Sequence, residues 1–116
     1  MKKIIIIKTD REIIPVHVDK IIVIYTEGGC STLSIDGGVK HHTAKGLKYF
    51  KEHQIGYFCQ LNRNIIVNMN YVEKISIRHK KVVLKDGRYF AISVRRMKEL
   101  RSFIKENYEM IKDIDS

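Results

Sequence analysis

Apolar and polar positions alternate through most of this chain. Ile4 to Lys8 is a β-branched run, Ile14-Pro15-Val16-His17-Val18 alternates strictly, and Ile21 to Tyr25 continues the same composition, so the first third reads as strands. Pro15 has no N–H to give to a ladder, which places its strand at a sheet edge. Glu27-Gly28-Gly29 and Asp36-Gly37-Gly38 interrupt the pattern on either side of Thr32-Leu33-Ser34-Ile35, a spacing that predicts hairpins.

The period changes at Thr43. Ala44, Leu47 and Phe50 recur every three residues, which predicts a short helix over Ala44 to His53 with Thr43 as its N-cap. Strand character returns at Tyr57 to Leu61, Ile65 to Val67 and Tyr71 to Ile77. Val82-Val83-Leu84 and Tyr89 to Ile92 then flank the hairpin turn Lys85-Asp86-Gly87-Arg88. Ser93 caps a last helix from Val94 to Ile111, with an apolar stripe at Met97, Leu100, Ile104, Tyr108 and Ile111. No internal repeat or linker divides the pattern, so residues 1–116 read as a single domain. Its core spans about 4–103, and 104–116 form a C-terminal helix extension.

Composition narrows the function. At 116 residues the chain is long enough for one core without disulfides or metal. Its apolar runs are too short for a membrane span or a signal peptide, which predicts a cytoplasmic protein with no membrane insertion. Cys30 and Cys59 form no CxxC pair and read as reduced thiols. The net charge is +9, and the segment from Gln60 to Arg101 carries most of it, making polyanions plausible partners.

Chemistry concentrates in two places. Between the apolar stretches Phe58 to Leu61 and Ile65 to Val67 lies the polar knot Asn62-Arg63-Asn64, which belongs on a turn between core strands. Asn and Arg make bidentate contacts to adenine and guanine edges in the major groove; alternatively, the two asparagines satisfy turn backbone groups and Arg63 is a solvated charge. The second place is Ser93-Val94-Arg95-Arg96-Met97-Lys98, where basic residues oppose the positive end of a helix dipole, a conflict that an anion opposite would resolve.

No Ser-His-Asp order, P-loop, paired acidic motif or Gly-rich dinucleotide turn is present, so no enzyme and no cofactor is expected. His41, His42, His53 and Cys59 fit no metal-ligand spacing. Tyr49, Phe50, Tyr57 and Phe58 suggest a stacking platform for single strands or RNA, but sit where the pattern places core residues. A protein-interaction module that antagonises other regulators is a further alternative.

The order Phe58 to Asn68, Tyr71-Val72-Glu73-Lys74-Ile75, the Leu84-Lys85-Asp86-Gly87 hairpin and Ile92-Ser93-Val94-Arg95-Arg96 resembles the LytTR family of bacterial DNA-binding domains. Asp19 to Gly29 is similar to that family's segment leading into its first DNA-contacting loop. The resemblance runs from about Ile4 to Phe103. It implies a mostly β, elongated fold of antiparallel sheets with one short helix and a C-terminal helix. Its loops would enter successive major grooves, as in a sequence-specific transcription regulator. Arg63 falls in a contacting loop, Arg95 matches the arginine of the family's serine-x-arginine segment, and Ser31 falls at the first loop's contact position. Departures stand at Asn62, where histidine is common, Gln60, where arginine is common, and Asn64, where serine is common; these bear on base preference. The candidate DNA-binding set is Ser31, Asn62, Arg63, Asn64, Arg95, Arg96 and Lys98. Expected partners are double-stranded DNA with repeated half-sites, a second copy on that DNA, and a separate regulatory protein. Members usually carry a receiver ahead of this domain; these residues contain none, so the chain is either free-standing or cut from a longer one.

Overall fold

The computed structural model describes residues 3–53 and 57–109. In chain order the elements are β1 (Ile4–Lys8), β2 (Ile13–His17), β3 (Ile21–Glu27), β4 (Cys30–Ile35), β5 (Lys40–Thr43), α1 (Leu47–Glu52), β6 (Phe58–Asn62), β7 (Ile65–Asn68), β8 (Val72–Ser76), β9 (Lys81–Leu84), β10 (Tyr89–Ala91) and α2 (Val94–Asn107). Single 3-10 turns at Val18–Lys20 and Met69–Tyr71 join β2 to β3 and β7 to β8.

Every strand pairing is antiparallel. A five-stranded sheet in the order β5-β4-β3-β7-β6 lies between the β1–β2 hairpin with α1 on one face and the three-stranded β10-β9-β8 sheet with α2 on the other. Two cores result. Val16, Ile24, Leu33, Leu47, Phe50 and Ile66 fill the first; Val23, Leu61, Val67, Val82, Leu84, Ile92 and Leu100 fill the second. β3 is central and covered on both faces, which is why Ile21, Ile22, Val23 and Ile24 are all buried and the sequence there is a continuous apolar run. Burying each such side chain contributes about 1.5–3 kcal/mol. The stacked layers give an elongated body of 53 × 33 × 26 Å, mostly β, with one short and one longer helix as expected.

Most strands and turns fall where the hydrophobic pattern places them. Pro15 sits on β2, which among the described residues pairs with β1 alone, an edge position as expected. The β3–β4 turn uses Gly28 (φ 61°) and Gly29 (φ 85°) in succession, the two positive φ values that a type I′ hairpin demands.

Three local expectations need correction. The first helix begins at Leu47, with Gly46 rather than Thr43 at its N-cap. Thr43 instead ends β5 opposite Ser31, and its Oγ1 accepts the Lys45 N–H at 3.3 Å, holding the chain extended past the start the pattern suggested. β5 itself is a further strand, Lys40-His41-His42-Thr43, without the β-branched alternation that marks the others. Ladder pairing with β4 creates it, supported by a 2.9 Å contact between Thr32 Oγ1 and His42 Nδ1. Finally, α2 stops at Asn107. Met97, Leu100 and Ile104 do face the second core, whereas Tyr108 is extended (φ −127°, ψ 136°) and stacks on Tyr57 at 5.7 Å between ring centroids. Ile111 lies outside the described residues.

Candidate nucleic-acid interface

Three segments distant in sequence meet at one end of the central sheet: the β3–β4 turn, the β6–β7 turn and the start of α2. Backbone hydrogen bonds lock them together. Thr26 N–H donates to the Asn64 carbonyl at 2.9 Å, and Ser93 N–H donates to the Leu61 carbonyl at 3.0 Å. Asn62 adds a side-chain tie, its Nδ2 donating to the Ala91 carbonyl at 2.9 Å.

The Asn62-Arg63-Asn64 knot forms the β6–β7 turn, as its polarity between apolar strands predicts. Within it the roles separate. Asn62 Oδ1 accepts the Asn64 N–H at 2.9 Å, so the Asn62 amide is committed to the turn and to Ala91. Arg63 is exposed, and its guanidinium has no hydrogen-bond or ion-pair partner among the described residues. Asn64 is exposed as well, with its backbone used by Asn62 and Thr26.

At the start of α2, Ser93 caps the helix by accepting the Arg96 N–H at 3.3 Å. Arg95 and Lys98 are exposed and unpaired among the described residues. Arg96 differs: its Nη1 lies 2.6 Å from Glu99 Oε2 and its side chain is only 14% exposed. The pair turns Arg96 into a brace on the flank of the helix, whereas its neighbour Arg95 stands clear. Ser31 pairs with Thr26 on β3, whose N–H bonds the Asn64 carbonyl, and so lies near the β6–β7 turn. It is 1% exposed in the last pair of the β4–β5 ladder, opposite Thr43, and its hydroxyl has no hydrogen-bond partner among the described residues.

Two cations join the site that the linear pattern did not single out. Lys80 and Arg101 line a shallow groove of about 250 Å³ with Lys98, Ile77 and Val94, between the β8–β9 turn and α2. The turn is tied to the helix start by Ile92 N–H donating to the Lys80 carbonyl at 2.9 Å. The run Arg78-His79-Lys80-Lys81 was the available signal, a basic turn between strands; what it lacked was any indication of which other turn it approaches. The candidate interface thus carries Arg63 and Arg95, exposed and unpaired among the described residues, together with a groove lined by Lys80, Lys98 and Arg101 that has no acidic side chain in its lining.

The remaining candidate chemistry disperses. Phe50 is buried and Phe58 and Tyr49 pack against the first core, so the four aromatics do not make a common stacking platform. His42 bonds Thr32, and His53 Nδ1 lies 2.7 Å from the Tyr49 carbonyl. Cys30 is exposed at the β3–β4 turn, while Cys59 is buried. Burial, reinforced by the Glu99 carboxylate and partly offset by Arg96, pushes the Cys59 thiol up to about 11.

Comparison with known proteins bears on this arrangement. The LytTr DNA-binding domain model matches residues 11–105. Among solved structures, the chain is similar to the LytTr DNA-binding domain of a Bacillus cereus protein described as a methyl-accepting/DNA response regulator. The TM-score is 0.74 at 19% identity, over 90% of this chain and 98% of that one. At that identity the likeness speaks for the fold. No curated protein matches. Among the described residues no helix is long and apolar enough to cross a membrane. With the family model covering most of its length and the fold agreeing, this chain belongs to the LytTr DNA-binding domain family.

Proposed function

We propose that this domain binds duplex DNA sequence-specifically and acts as a transcription regulator in the cytoplasm, without a cofactor or catalytic role. The observation that carries the proposal is the pair of exposed arginines, Arg63 and Arg95, unpaired among the described residues, on segments locked together by the Ser93–Leu61 and Asn62–Ala91 hydrogen bonds. A planar guanidinium with no internal partner is suited to bidentate contact with guanine O6 and N7. Rigid scaffolding of both turns lowers the ordering cost of binding.

Roles divide accordingly. Arg63 and Arg95 read base edges from the major groove, with Asn64 beside them at the turn. Asn62 positions the turn, and Arg96 holds the helix flank through Glu99. Lys98, with Lys80 and Arg101, neutralises backbone phosphates, which fixes register without encoding sequence. Ser31 supports the β4–β5 pairing beneath the first turn rather than touching DNA. The 53 Å long dimension exceeds the ~34 Å of one DNA turn, which suits contact with successive grooves and with repeated half-sites. Control comes from a separate regulatory protein or from a second copy on the same DNA.

The test is a binding selection from random duplexes, then fluorescence anisotropy on the selected duplex, a scrambled duplex and the matching single strand across a salt series. Enrichment of a repeated motif, preferred over both controls and weakening steeply with salt, is the expected result. Equal weak binding to all three nucleic acids would remove the base-reading role.

A further inference from the structure

We propose that Val94 reads the C5 methyl group of a thymine in the major groove, next to the base pair assigned to Arg95; the inference rests on the DNA-binding reading above. Val94 is 71% exposed, more than any other large apolar side chain among the described residues. It holds the first position of α2, directly after the Ser93 cap and directly before the exposed Arg95.

Packing does not account for an apolar residue there. Ile92, just ahead of the cap, is buried in the second core, and Met97, four positions into the helix, packs against the same core. Those two positions are the places of a hydrophobic staple, which fixes how the chain enters a helix. Val94 lies between them in sequence and, among the described residues, joins neither core. A β-branched residue has a lower helix propensity than alanine, and the first turn of a helix favours acidic side chains. The valine therefore adds nothing to the start of α2 that a smaller or more polar residue would not.

The surroundings identify the ligand group. Val94 lines the groove that also carries Lys80, Lys98 and Arg101, with no acidic side chain in its lining, and Arg95 follows it in the chain. A ligand matched to this set offers phosphates to the cations, a hydrogen-bonding edge to the guanidinium and one apolar group to Val94. Duplex DNA presents that combination in its major groove, where the C5 methyl of thymine is the apolar group on the base edges. Consecutive Cα atoms lie ~3.8 Å apart and consecutive base pairs ~3.4 Å apart, so neighbouring residues at a helix start can address neighbouring base pairs. Contact with the methyl adds a preference for thymine at a position that the Arg95 guanidinium does not read.

The test uses the full chain and the duplex recovered by selection, with each thymine replaced in turn by uracil, which removes the methyl and keeps every base-pairing hydrogen bond. Fluorescence anisotropy is measured for the unsubstituted chain, Val94→Ala and Val94→Ser, with circular dichroism confirming the fold of each. The expected result is one thymine, within about two base pairs of the position whose preference Arg95→Ala relaxes, at which uracil weakens the unsubstituted chain about fourfold, the effect of one buried methyl. Uracil at that position weakens either variant less than about twofold. A preferred duplex in which no uracil matters, or a uracil penalty that both folded variants keep, overturns the role of Val94 and leaves sequence-specific binding standing. A selection that yields no preferred duplex overturns both.

Discussion

Asn62 and Ala91 are 29 residues apart in sequence and are joined by one hydrogen bond, from Asn62 Nδ2 to the Ala91 carbonyl at 2.9 Å. The same amide accepts the Asn64 N–H through Oδ1. One side chain therefore sets both the shape of the turn that carries Arg63 and its position against the strand that leads to Arg95.

Asn62→Ala removes both bonds and leaves the Ala91 carbonyl and the Asn64 N–H to water. The expected cost is about 1–2 kcal/mol of stability, read as a lower urea midpoint, together with weaker binding to the selected duplex because the two arginines are no longer held in register. An unchanged midpoint with unchanged affinity would take the positioning role away from Asn62.

Arg95→Ala and Lys98→Ala should separate base reading from phosphate contact, although the two residues share the first turns of α2. The arginine change is expected to cost about 1–3 kcal/mol on the selected site and to relax preference at one base pair. The lysine change should weaken selected and scrambled duplexes alike and reduce the salt slope by about one phosphate. Equal losses on both duplexes for Arg95→Ala would sink its base-reading role.

Arg96→Ala is expected to behave unlike its neighbour. The Arg96–Glu99 pair is partly buried on the arginine side, so the substitution should lower stability more than it alters sequence preference. Anisotropy with the selected and mismatched duplexes checks this: a specificity change as large as that of Arg95→Ala would place Arg96 on DNA.

Asn68 is 2% exposed and ties β7 to β3. Its Nδ2 donates to the Ile21 carbonyl at 2.9 Å and its Oδ1 accepts the Asn70 N–H at 3.0 Å. Asn68→Ala leaves a buried carbonyl without a donor and opens a small void, so the expected loss is on the order of 2–3 kcal/mol. Guanidinium denaturation measures it, and a loss within a few tenths of wild type would contradict the bridging role.

The two cysteines should differ in alkylation. With its thiol pushed from 9.0 up to about 11 by burial, Cys59 has almost no thiolate near neutral pH and should resist a thiol reagent until the protein unfolds, while exposed Cys30 reacts in the folded state. A folded-state pKa above the unfolded value means the thiol's contribution to stability is complete below about 9 and is lost as pH rises through about 11. Cys59→Val should therefore flatten part of the alkaline decline in stability; mass spectrometry after timed alkylation and melts across that pH range report both effects.

Local chemistry made much of this legible in the residues alone. Apolar alternation marked most of the strands, paired glycines marked the β3–β4 hairpin, and Ser93 ahead of a three-four apolar spacing marked the start of α2, because each of these signals acts over a few residues of chain. The polar knot at Asn62-Arg63-Asn64 was visible for the same reason, as was the pair Arg95 and Lys98 at a capped helix start. What the residues left open within the knot, whether its asparagines read DNA or satisfy the turn, depended on a partner at Ala91.

Tertiary structure decided the rest. β5 exists because β4 offers it a ladder, not because Lys40-His41-His42-Thr43 favours a strand, and that pairing both buries Ser31 and moves the start of α1 past Thr43. Adjacent arginines acquire different fates because the helix turns one toward Glu99 and the other away from it. Lys80 and Arg101 meet only where the β8–β9 turn is bonded to the entry of α2. Periodicity tells which residues share a face; which face is covered, and by what, is set by long-range packing that no stretch of sequence contains by itself.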